Sequence, residues 1–451
     1  MEPLQALSQF SAHFEFGNAV PEVQDQARYV LLDTVGAIIA GSAEPEMAAL
    51  SERLASGVGP ASVIGTTHRA ATDRAALLNG TAGTFMEMDE GNRFSRGHPG
   101  IHVIPAVLAY AEAEALSGSD VMSAMIVGYE VGSRVGYATN LRGSMHPHGT
   151  WGTVGAAAAI ARLARFDETR MRETINVASS LTLATSKRTM LEGGLVRNVY
   201  AGISNQMGLL ALTLVESGFS GECDGLRSVF GSVVSDSFEA TRLNEGLGSI
   251  WHIQRNYFKR HSCCRYNHGA LDALDRLIAA RGPITADAVA RVEVTSYLYA
   301  AELNDQSPRN TLAGKFSVPF AIATRLVNGS SGVASFTWDA IRNPAIQALA
   351  KRVTVHEDPA MTNRLPEFRP ARVEVVLKDG GCLVEEIETN RGDDADPYSR
   401  AELRDKFHEL SERVYTTATA KALLTELLGL AQAPNLSQLS DLLNQVRNPK
   451  M

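Results

Sequence analysis

Apolar residues recur every three or four positions through much of the first 245 residues. This is the period of a helix that buries one face, and it predicts helices over 20–39, 104–116, 121–135 and 209–215. Residues 155–163 are almost all small or apolar, so we expect this helix to be buried on every side. The first half of the chain is therefore predicted to be mostly helical.

The pattern changes after about residue 255. Residues 289–297, 372–377 and 382–387 alternate between apolar and polar positions, which is typical of strands with one buried face. The sequence Lys-Asp-Gly-Gly at 378–381 separates the last two of these strands and favours a hairpin turn. This part of the chain is therefore predicted to contain a sheet.

Helical spacing also occurs between and after these strands. It predicts helices over 270–280 and 318–327. A further helix is expected to begin at Ser399, whose hydroxyl is a candidate N-cap three residues before Glu402. The chain thus returns to helix in its last 50 residues.

Two domains are predicted from these patterns. The fold class is mainly α with an inserted α+β domain. The all-helical domain comprises residues 1–250 and 400–451, and the smaller α+β domain comprises residues 251–399. A length of 451 residues allows two or three domains of ordinary size, and a hydrophobic content of 45% is enough for a substantial core.

Composition and charge exclude several classes of protein. A net charge of −8 and a pI of about 5.8 argue against a general nucleic-acid surface. The sequence contains no run of about 18 apolar residues, so no membrane span is expected. The first residues also lack the pattern of a signal peptide. Four cysteines in so long a chain indicate reduced thiols rather than a disulfide framework. We therefore expect a cytoplasmic protein without nucleic-acid or membrane partners.

One loop combines an imidazole with two guanidinium groups. His98 lies between Gly97 and Pro99, which favours a loop from which the ring can enter a cleft. A solvated or helix-capping histidine fits the same pattern. Arg93 and Arg96 lie on this loop and could hold a carboxylate, although a short charge cluster is often only a solvated surface.

Two carboxylates precede this loop. Glu87 and Asp89 bracket Met88 at the end of an apolar helix. A carboxylate in this position can orient a histidine or raise its basicity; an acidic helix end is the alternative. His102 follows His98 by four residues, and we expect it to pack beneath the first ring.

A second pair of histidines flanks a proline. His146 and His148 precede three glycines at 149, 152 and 155 and then four alanines. The Gly-x-x-Gly-x-x-Gly spacing superficially resembles a dinucleotide-binding loop, but no alternating strand precedes it. Close helix packing explains these glycines better. The start of the following helix would favour an anion near the histidines.

Two further cations stand out later in the chain. Arg197 interrupts an apolar helical stretch, and Lys259 opens a polar block that ends at His268. Either cation could hold a substrate carboxylate, and a snorkelling side chain is the alternative for Arg197. The adjacent Cys263 and Cys264 do not match the spacing of structural zinc sites, so no metal site is predicted.

The order and spacing of these blocks resemble the MmgE/PrpD family, and the resemblance covers nearly the whole chain. The blocks are Asn79-Gly80, Glu87-Met88-Asp89, His98-Pro99, His146-Pro147, Arg197 through Gly202, Lys259 through His268 and Lys315 through Phe320. The family includes 2-methylcitrate dehydratases, cis-aconitate decarboxylases and iminodisuccinate epimerases. The resemblance implies a two-domain architecture, a homodimer and a site between the domains that needs no cofactor.

Local pattern and resemblance together give the candidate site. The catalytic candidates are His98, His146, Lys259 and Asp89, and the substrate-binding candidates are Arg93, Arg197, Glu87, His148 and Phe320. The chain differs from the family pattern at three places. Asp89 is followed by Glu90-Gly91 where a second aspartate and a threonine are usual, Arg197 replaces a lysine, and Phe320 takes the place of a tyrosine.

These residues predict proton abstraction next to a carboxylate of a small polycarboxylate. The reaction needs a base within about 3 Å of the proton and cations that stabilise an enolate-like dianion. Arg197, with Arg93 and Arg96, suits a substrate with several carboxylates, and we favour epimerisation of an iminodisuccinate-like compound. The alternatives within the family are dehydration of a 2-methylcitrate-like hydroxy-tricarboxylate and decarboxylation of the cis-aconitate type.

Two other classes of protein fit parts of the sequence. A metal-dependent hydrolase would use His146, His148 and the cysteine pair. A non-catalytic dimeric scaffold would leave the histidines as packed structure. The hydrolase predicts stoichiometric zinc and no activity in chelator, and the scaffold predicts that no pocket brings His98, His146 and Lys259 together.

Overall fold

The helical part of the protein extends over the first half of the chain, as predicted. The structure is a computed structural model that describes residues 2–55 and 58–447. The helices of this half are α1 (Pro3–His13), α2 (Pro21–Ser42), α3 (Pro45–Leu54), α4 (Thr72–Gly83), α5 (Pro99–Ala113), α6 (Gly118–Ala138), α7 (Trp151–Leu163), α8 (Glu168–Ser180), α9 (Arg188–Leu191) and α10 (Val199–Glu216). The five predicted helices overlap α2, α5, α6, α7 and α10. Their ends differ by up to five residues except at α10, which begins ten residues before the predicted helix over 209–215.

The glycines after the second histidine pair serve helix packing, as expected. A Cβ atom at Gly155 on α7 would lie 2.7 Å from the carbonyl oxygen of Gly128 and 3.1 Å from Cα of Gly132, both on α6. A Cβ atom at Gly152 would lie 2.3 Å from Cδ2 of His102. Because small residues let the backbones approach, every residue of α7 is buried. The dinucleotide-loop alternative is not needed to explain this sequence.

The second part of the chain forms the predicted sheet. The strands of the whole chain are β1 (Ala61–Ser62), β2 (Arg69–Ala70), β3 (Gly91–Asn92), β4 (Thr139–Leu141), β5 (Ser235–Phe238), β6 (Asn256–Tyr257), β7 (Val289–Ser296), β8 (Val353–Glu357), β9 (Ala371–Leu377) and β10 (Cys382–Ile387). The four-stranded sheet has the order β10-β9-β7-β8. Strands β9 and β10 form the predicted hairpin, β7 is antiparallel to β9, and β7 is parallel to β8.

Helices pack against the sheet and close the chain. Those of the second part are α11 (Arg265–Arg281), α12 (Leu298–Ala301), α13 (Thr311–Lys315), α14 (Val318–Asn328), α15 (Trp338–Arg342), α16 (Pro344–Ala350) and α17 (Pro359–Thr362). The closing helices are α18 (Arg400–Ser411), α19 (Thr417–Leu428) and α20 (Ser437–Leu443). Ser399 and Glu402 form a reciprocal capping box at the start of α18, which confirms the predicted N-cap.

Two large apolar cores correspond to the two parts of the fold. The first contains α2, α5, α6 and α7 together with Leu403, Phe407 and Leu410 of α18. The second contains the buried faces of β7 and β9 and helices α11 and α14. A mainly α architecture with an inserted α+β part is thus confirmed. The boundaries at 250/251 and 399/400 remain predictions, and Met1, Ser56, Gly57 and residues 448–451 of the predicted helical domain lie outside the described residues.

None of the helices in the described part of the chain has the length and apolar character needed to cross a membrane.

Candidate active site

A cleft lies where the helical part meets the sheet-containing part. Residues on its helical side include His98, His146, His148 and Arg197. Residues on the other side include Tyr257, Cys264, Arg265, Tyr266, Tyr299, Phe316 and Arg369. Polar groups from both parts of the fold therefore converge on one concave surface, which is the usual form of a small-molecule site.

His98 is held at the start of a helix. It occupies the N-cap position of α5, and Pro99 begins the helix because proline fixes the required φ and needs no donor there. Nδ1 of His98 lies 2.7 Å from the carbonyl oxygen of Glu90 and 3.1 Å from Oδ2 of Asp89. Both neighbours are acceptors, so Nδ1 carries a hydrogen. Nε2 is then the nitrogen left for proton exchange in the cleft.

Three imidazole rings form a row along the helical wall. The centroid of the His148 ring lies 5.0 Å from that of His98 and 4.8 Å from that of His146. His148 therefore lies between the two predicted acid/base histidines. His102 contacts His148 from below at 4.7 Å and donates through Nδ1 to the carbonyl oxygen of His98 at 2.8 Å. As expected, His102 packs beneath His98, and burial lowers its pKa to about 4.

Both ring nitrogens of His146 face hydrogen-bond donors. The backbone N–H of His148 donates to Nδ1 of His146 at 3.0 Å, and Nε–H of Arg197 donates to its Nε2 at 3.4 Å. The imidazolium form would set an N–H against a donor on each side, so these contacts favour the neutral ring. Burial, followed by the positive charge of Arg197, lowers the pKa of His146 well below its usual range. His146 is therefore neutral at physiological pH.

Two carboxylates and two cations form a buried cluster beside the histidines. Glu87 pairs with Nη1 of Arg197. Nζ of Lys259 lies 3.4 Å from Oε2 of Glu87 and 3.5 Å from Oδ1 of Asp89. Glu87 has a φ of +52°, the left-handed region that is uncommon for residues other than glycine. Such local strain is often retained at functional sites.

Charge compensation keeps the cluster ionised despite its burial. Burial disfavours the charged form of Asp89, but the charges of His98 and Lys259 outweigh it and hold the pKa of Asp89 well below its usual range. Burial likewise opposes ionisation of Glu87, yet Arg197 and Lys259 lower its pKa. The pKa of Lys259 is raised, because the two carboxylates overcome the effect of burial. The two carboxylates and the two cations therefore remain charged beside the cleft.

The structure brings most of the predicted site residues together, some lining the cleft and others buried behind its surface. Glu87, His98, His146, His148 and Arg197 line the cleft. Asp89 and Lys259 do not line it; both are buried, and they reach it through their contacts with His98 and Glu87.

Two predicted substrate-binding residues lie elsewhere. Arg93 faces away from the cleft and pairs with Asp394 at 2.6 Å, because the loop turns its side chain toward that carboxylate. Phe320 is 1% exposed and packs against Phe336 in the second core, with ring centroids 5.9 Å apart. The aromatic ring at the cleft is instead Phe316, which lies beneath the guanidinium of Arg197 at 5.2 Å. A binding role for Arg93 or Phe320 is therefore not supported by their position.

Several cleft residues have little local signal in the sequence. Arg142 and Lys187 lie in polar turns near the second histidine pair, and Arg369 lies two residues before β9. Arg265 and Tyr266 belong to the polar block that begins at Lys259, which sequence reasoning identified without assigning these two residues. Because Arg142 is close to His146 in the sequence, its place at the cleft could have been predicted. The position of Arg369 depends on the tertiary fold.

The metal-hydrolase hypothesis has no geometric support in the described residues. Among residues 2–55 and 58–447, no group of three or more His, Cys, Asp or Glu side chains is arranged to hold a metal ion. Cys263 is buried in the second core and Cys264 alone of the pair lines the cleft. Burial raises the pKa of the Cys264 thiol to about 11, so it is protonated at neutral pH.

Two family models match most of the chain. The family model of the MmgE/PrpD N-terminal domain matches residues 5–236, and that of the MmgE/PrpD C-terminal domain matches residues 261–430. The chain belongs to the MmgE/PrpD family. The two matches also agree with the two-domain architecture seen in the fold.

Similar curated proteins are cis-aconitate decarboxylases. The protein of that name from Aspergillus terreus is 25% identical over 459 residues, which cover 95% of this chain and 93% of the relative. The one from Homo sapiens is 25% identical over 460 residues, covering 96% of this chain and 93% of the relative. The one from Mus musculus is 26% identical over 392 residues, covering 82% and 78%. This MmgE/PrpD protein is therefore similar to enzymes along most of its length.

Proposed function

We propose that this MmgE/PrpD protein is a lyase that removes CO2 or water from a small polycarboxylate. The observation that carries the proposal is the row of His98, His148 and His146 in a cleft whose walls also hold arginines from both parts of the fold. The decarboxylase relatives support the lyase alternative over the epimerase that the sequence favoured. The substrate, the homodimer and the cytoplasmic location remain predictions.

In the proposed reaction His98 moves the proton. Its Nδ1–H donates to the carbonyl oxygen of Glu90 at 2.7 Å. The carboxylate of Asp89 lies 3.1 Å from the same nitrogen and favours the positive charge that arises when Nε2 accepts a proton. In a decarboxylation, the C–C bond to the departing carboxylate breaks, its electron pair is delocalised toward a neighbouring carboxylate, and the imidazolium of His98 gives a proton to carbon. One proton is then consumed for each CO2 released.

The dehydration alternative uses the same groups in another order. His98 as a neutral base takes the proton from the carbon next to a carboxylate, and its imidazolium then gives this proton to the hydroxyl on the neighbouring carbon, which leaves as water. His146 is neutral and its Nε2 accepts from Nε–H of Arg197, so its role is to position that guanidinium in the cleft. Arg197 beside it stabilises the developing negative charge.

A direct assay tests the proposal. The purified protein is incubated in D2O with cis-aconitate, 2-methylcitrate or iminodisuccinate, and the products are followed by proton NMR and CO2 release. We expect one of the first two substrates to react. From cis-aconitate the expected products are CO2 and an alkene with one solvent-derived deuterium on carbon, and from 2-methylcitrate the expected product is an alkene formed by loss of water, a step that adds no deuterium to carbon. Deuterium exchange with epimerisation alone would restore the epimerase hypothesis, and no conversion of any substrate would contradict the proposal.

Histidine variants link the activity to the cleft. We expect His98→Gln to lower kcat by about 10²-fold to 10⁴-fold, the range for loss of a general acid or base. His146→Gln should lower it as well. His356→Gln is the matched control, because His356 is exposed on β8, and its activity should equal that of the unchanged protein.

A further inference from the structure

The guanidinium of Arg369 lies in the cleft wall without a carboxylate in direct contact, among the residues that the structure describes. Arg369 is 4% exposed and lines the cleft. Within the described residues it makes no side-chain hydrogen bond that meets ordinary geometry and has no carboxylate within 4.0 Å, and its Nη1 atom is fully buried without a partner. This is an unusual state for a group that carries five donors and is always charged.

Other buried arginines in the described part of the chain are paired. Their acidic partners are Asp394 for Arg93, Glu130 for Arg134, Glu15 for Arg162, Glu87 for Arg197 and Asp393 for Arg265. Arg265 also lines the cleft, yet its Nη2 lies 2.8 Å from Oδ1 of Asp393. Arg369 is buried like its neighbour, but the contact with Asp393 is made by Arg265, and the same carboxylate acts on Arg369 only from beyond 4.0 Å.

Aromatic contacts only partly compensate for this burial. The Cζ atom of Arg369 lies 5.4 Å from the ring centroid of Tyr257 and 5.7 Å from that of Tyr266. A cation over an aromatic face gains some stabilisation, but it leaves the N–H donors unsatisfied, and burying unpaired donors is costly. The planar fork of arginine matches a carboxylate bidentately. The tyrosine rings thus fix the orientation of a guanidinium that is ready to receive an anion.

Arg369 approaches the cleft from the part of the fold opposite the histidines. It lies two residues before β9 of the sheet, whereas His98 is the N-cap of α5 in the helical part. Tyr257 lies near both: its ring centroid is 6.2 Å from that of His98 and 5.4 Å from Cζ of Arg369. The guanidinium and the proposed proton-transfer group therefore flank the same tyrosine at one end of the cleft.

We propose that Arg369 binds a carboxylate of the substrate that does not itself react. The inference rests on the proposed function and adds a specificity-determining residue to it. A carboxylate held by Arg369 fixes the substrate across the cleft, with the reacting carbon presented to His98. Substrates that lack a carboxylate at this distance leave the guanidinium unpaired. The protein should therefore discriminate tricarboxylates from dicarboxylates that are otherwise similar.

Binding of an unreactive tricarboxylate tests the inference apart from catalysis. The probe is propane-1,2,3-tricarboxylate, titrated calorimetrically into the unchanged protein, Arg369→Gln and Arg369→Lys. We expect Arg369→Gln to weaken binding by about 10-fold to 100-fold, as for loss of a charge-assisted hydrogen-bond pair. Arg369→Lys keeps the charge but not the planar fork, so its affinity for the probe should lie between those of the unchanged protein and Arg369→Gln. Equal affinity in all three proteins would overturn the inference.

A second variant and a second ligand serve as controls. Arg364→Gln removes a guanidinium that is paired with Glu388 at 3.1 Å outside the cleft, and it should bind the probe like the unchanged protein. Glutarate lacks the third carboxylate. Replacing Arg369 should therefore weaken the binding of glutarate less than the binding of the tricarboxylate. An equal loss for both ligands would contradict the assignment to the non-reacting carboxylate.

Kinetics separate this inference from the proposed function. With a substrate that turns over, Arg369→Gln should raise KM by a larger factor than it lowers kcat, because the anchor acts on ground state and transition state alike. Unchanged KM with normal turnover would overturn the anchor while leaving the lyase intact. If the probe binds through Arg369 but no polycarboxylate is converted, the subsite stands and the proposed reaction is wrong.

Discussion

The imidazole of His98 and the carboxylate of Asp89 lie 3.1 Å apart, from Nδ1 to Oδ2. Asp89 is 1% exposed, and its other oxygen, Oδ1, faces Lys259 at 3.5 Å. The carbonyl oxygen of Glu90 holds the ring through Nδ1 at 2.7 Å, while Asp89 places a carboxylate beside that nitrogen and a buried ammonium keeps this carboxylate ionised. His98 therefore has a fixed tautomer and a negative charge next to its Nδ1, an arrangement suited to proton transfer.

Replacement of Asp89 by asparagine should impair catalysis more than folding. The amide keeps the size of the side chain but cannot stabilise the imidazolium of His98. We expect kcat to fall by at least about 10²-fold, in line with loss of a group that orients a catalytic histidine. Far-ultraviolet circular dichroism should remain unchanged. The control is Asp379→Asn in the exposed turn between β9 and β10; similar losses in the two variants would contradict the assigned role.

Removal of the Arg197 charge should change the titration of His146. Burial and the positive charge of Arg197 together lower the pKa of His146 below its ordinary value of 6.5. In Arg197→Met the charge is gone, so the pKa of His146 should rise toward 6.5, while in Arg197→Lys the rise should be smaller. Nitrogen NMR of ¹⁵N-labelled histidine measures the titration directly. An unchanged pKa in Arg197→Met would show that burial alone holds the ring neutral.

The buried carboxyl of Glu90 should make stability fall as pH rises. Burial raises the pKa of Glu90 from 4.5 to about 8, although its Oε1 accepts from the backbone N–H of Gly100 at 2.7 Å. Above pH 4.5 the unfolded chain loses this proton while the native state keeps it, so each further pH unit disfavours the native state until about pH 8. The slope for one proton is about 1.4 kcal/mol per pH unit.

Glu90→Gln tests this linkage. The difference in the free energy of unfolding between Glu90→Gln and the unchanged protein should increase in favour of the variant from pH 5 to pH 8 and level off above it. Urea denaturation at several pH values provides the measurement. Glu386→Gln, on the exposed side of β10, is the control and should give a difference that is independent of pH. A flat difference for Glu90→Gln would mean that the carboxyl is ionised in the native state.

The ion pair between Asp33 and Lys406 should couple the closing helices to the site. Nζ of Lys406 on α18 lies 2.6 Å from Oδ1 of Asp33 on α2 and 2.6 Å from the carbonyl oxygen of Met88, which separates Glu87 from Asp89. Lys406→Met leaves Asp33 buried without its cation. We expect the free energy of unfolding to fall by about 3–5 kcal/mol, the usual cost of breaking one half of a buried pair.

A double variant distinguishes the pair from simple packing. Asp33→Leu together with Lys406→Met replaces both charges by apolar side chains, so most of the lost stability should return. Activity should return less completely, because the carbonyl oxygen of Met88 still lacks its donor. Chemical denaturation and steady-state kinetics on both variants provide the test. A double variant no more stable than Lys406→Met would argue against a charge effect.

Local patterns in the sequence determined most of the secondary structure. Apolar residues at helical spacing gave α2, α5, α6, α7 and α10, and alternation with a Lys-Asp-Gly-Gly turn gave the β9–β10 hairpin. These elements could be predicted because hydrophobic period and turn chemistry act over a few residues. Strand β8 was not predicted, since its five residues are too few to establish a pattern and its pairing with β7 is a long-range contact.

The candidate site was determined by the sequence only as a set of residue types. His98, His146, Glu87 and Arg197 could be proposed from loops, helix ends and family resemblance, but their convergence depends on how α5, α7 and α10 pack. The fold alone decided that Arg93 turns toward Asp394 and that Arg369, far along the chain, enters the cleft instead. The physical reason is that side-chain direction and charge pairing depend on tertiary neighbours, which no local pattern records.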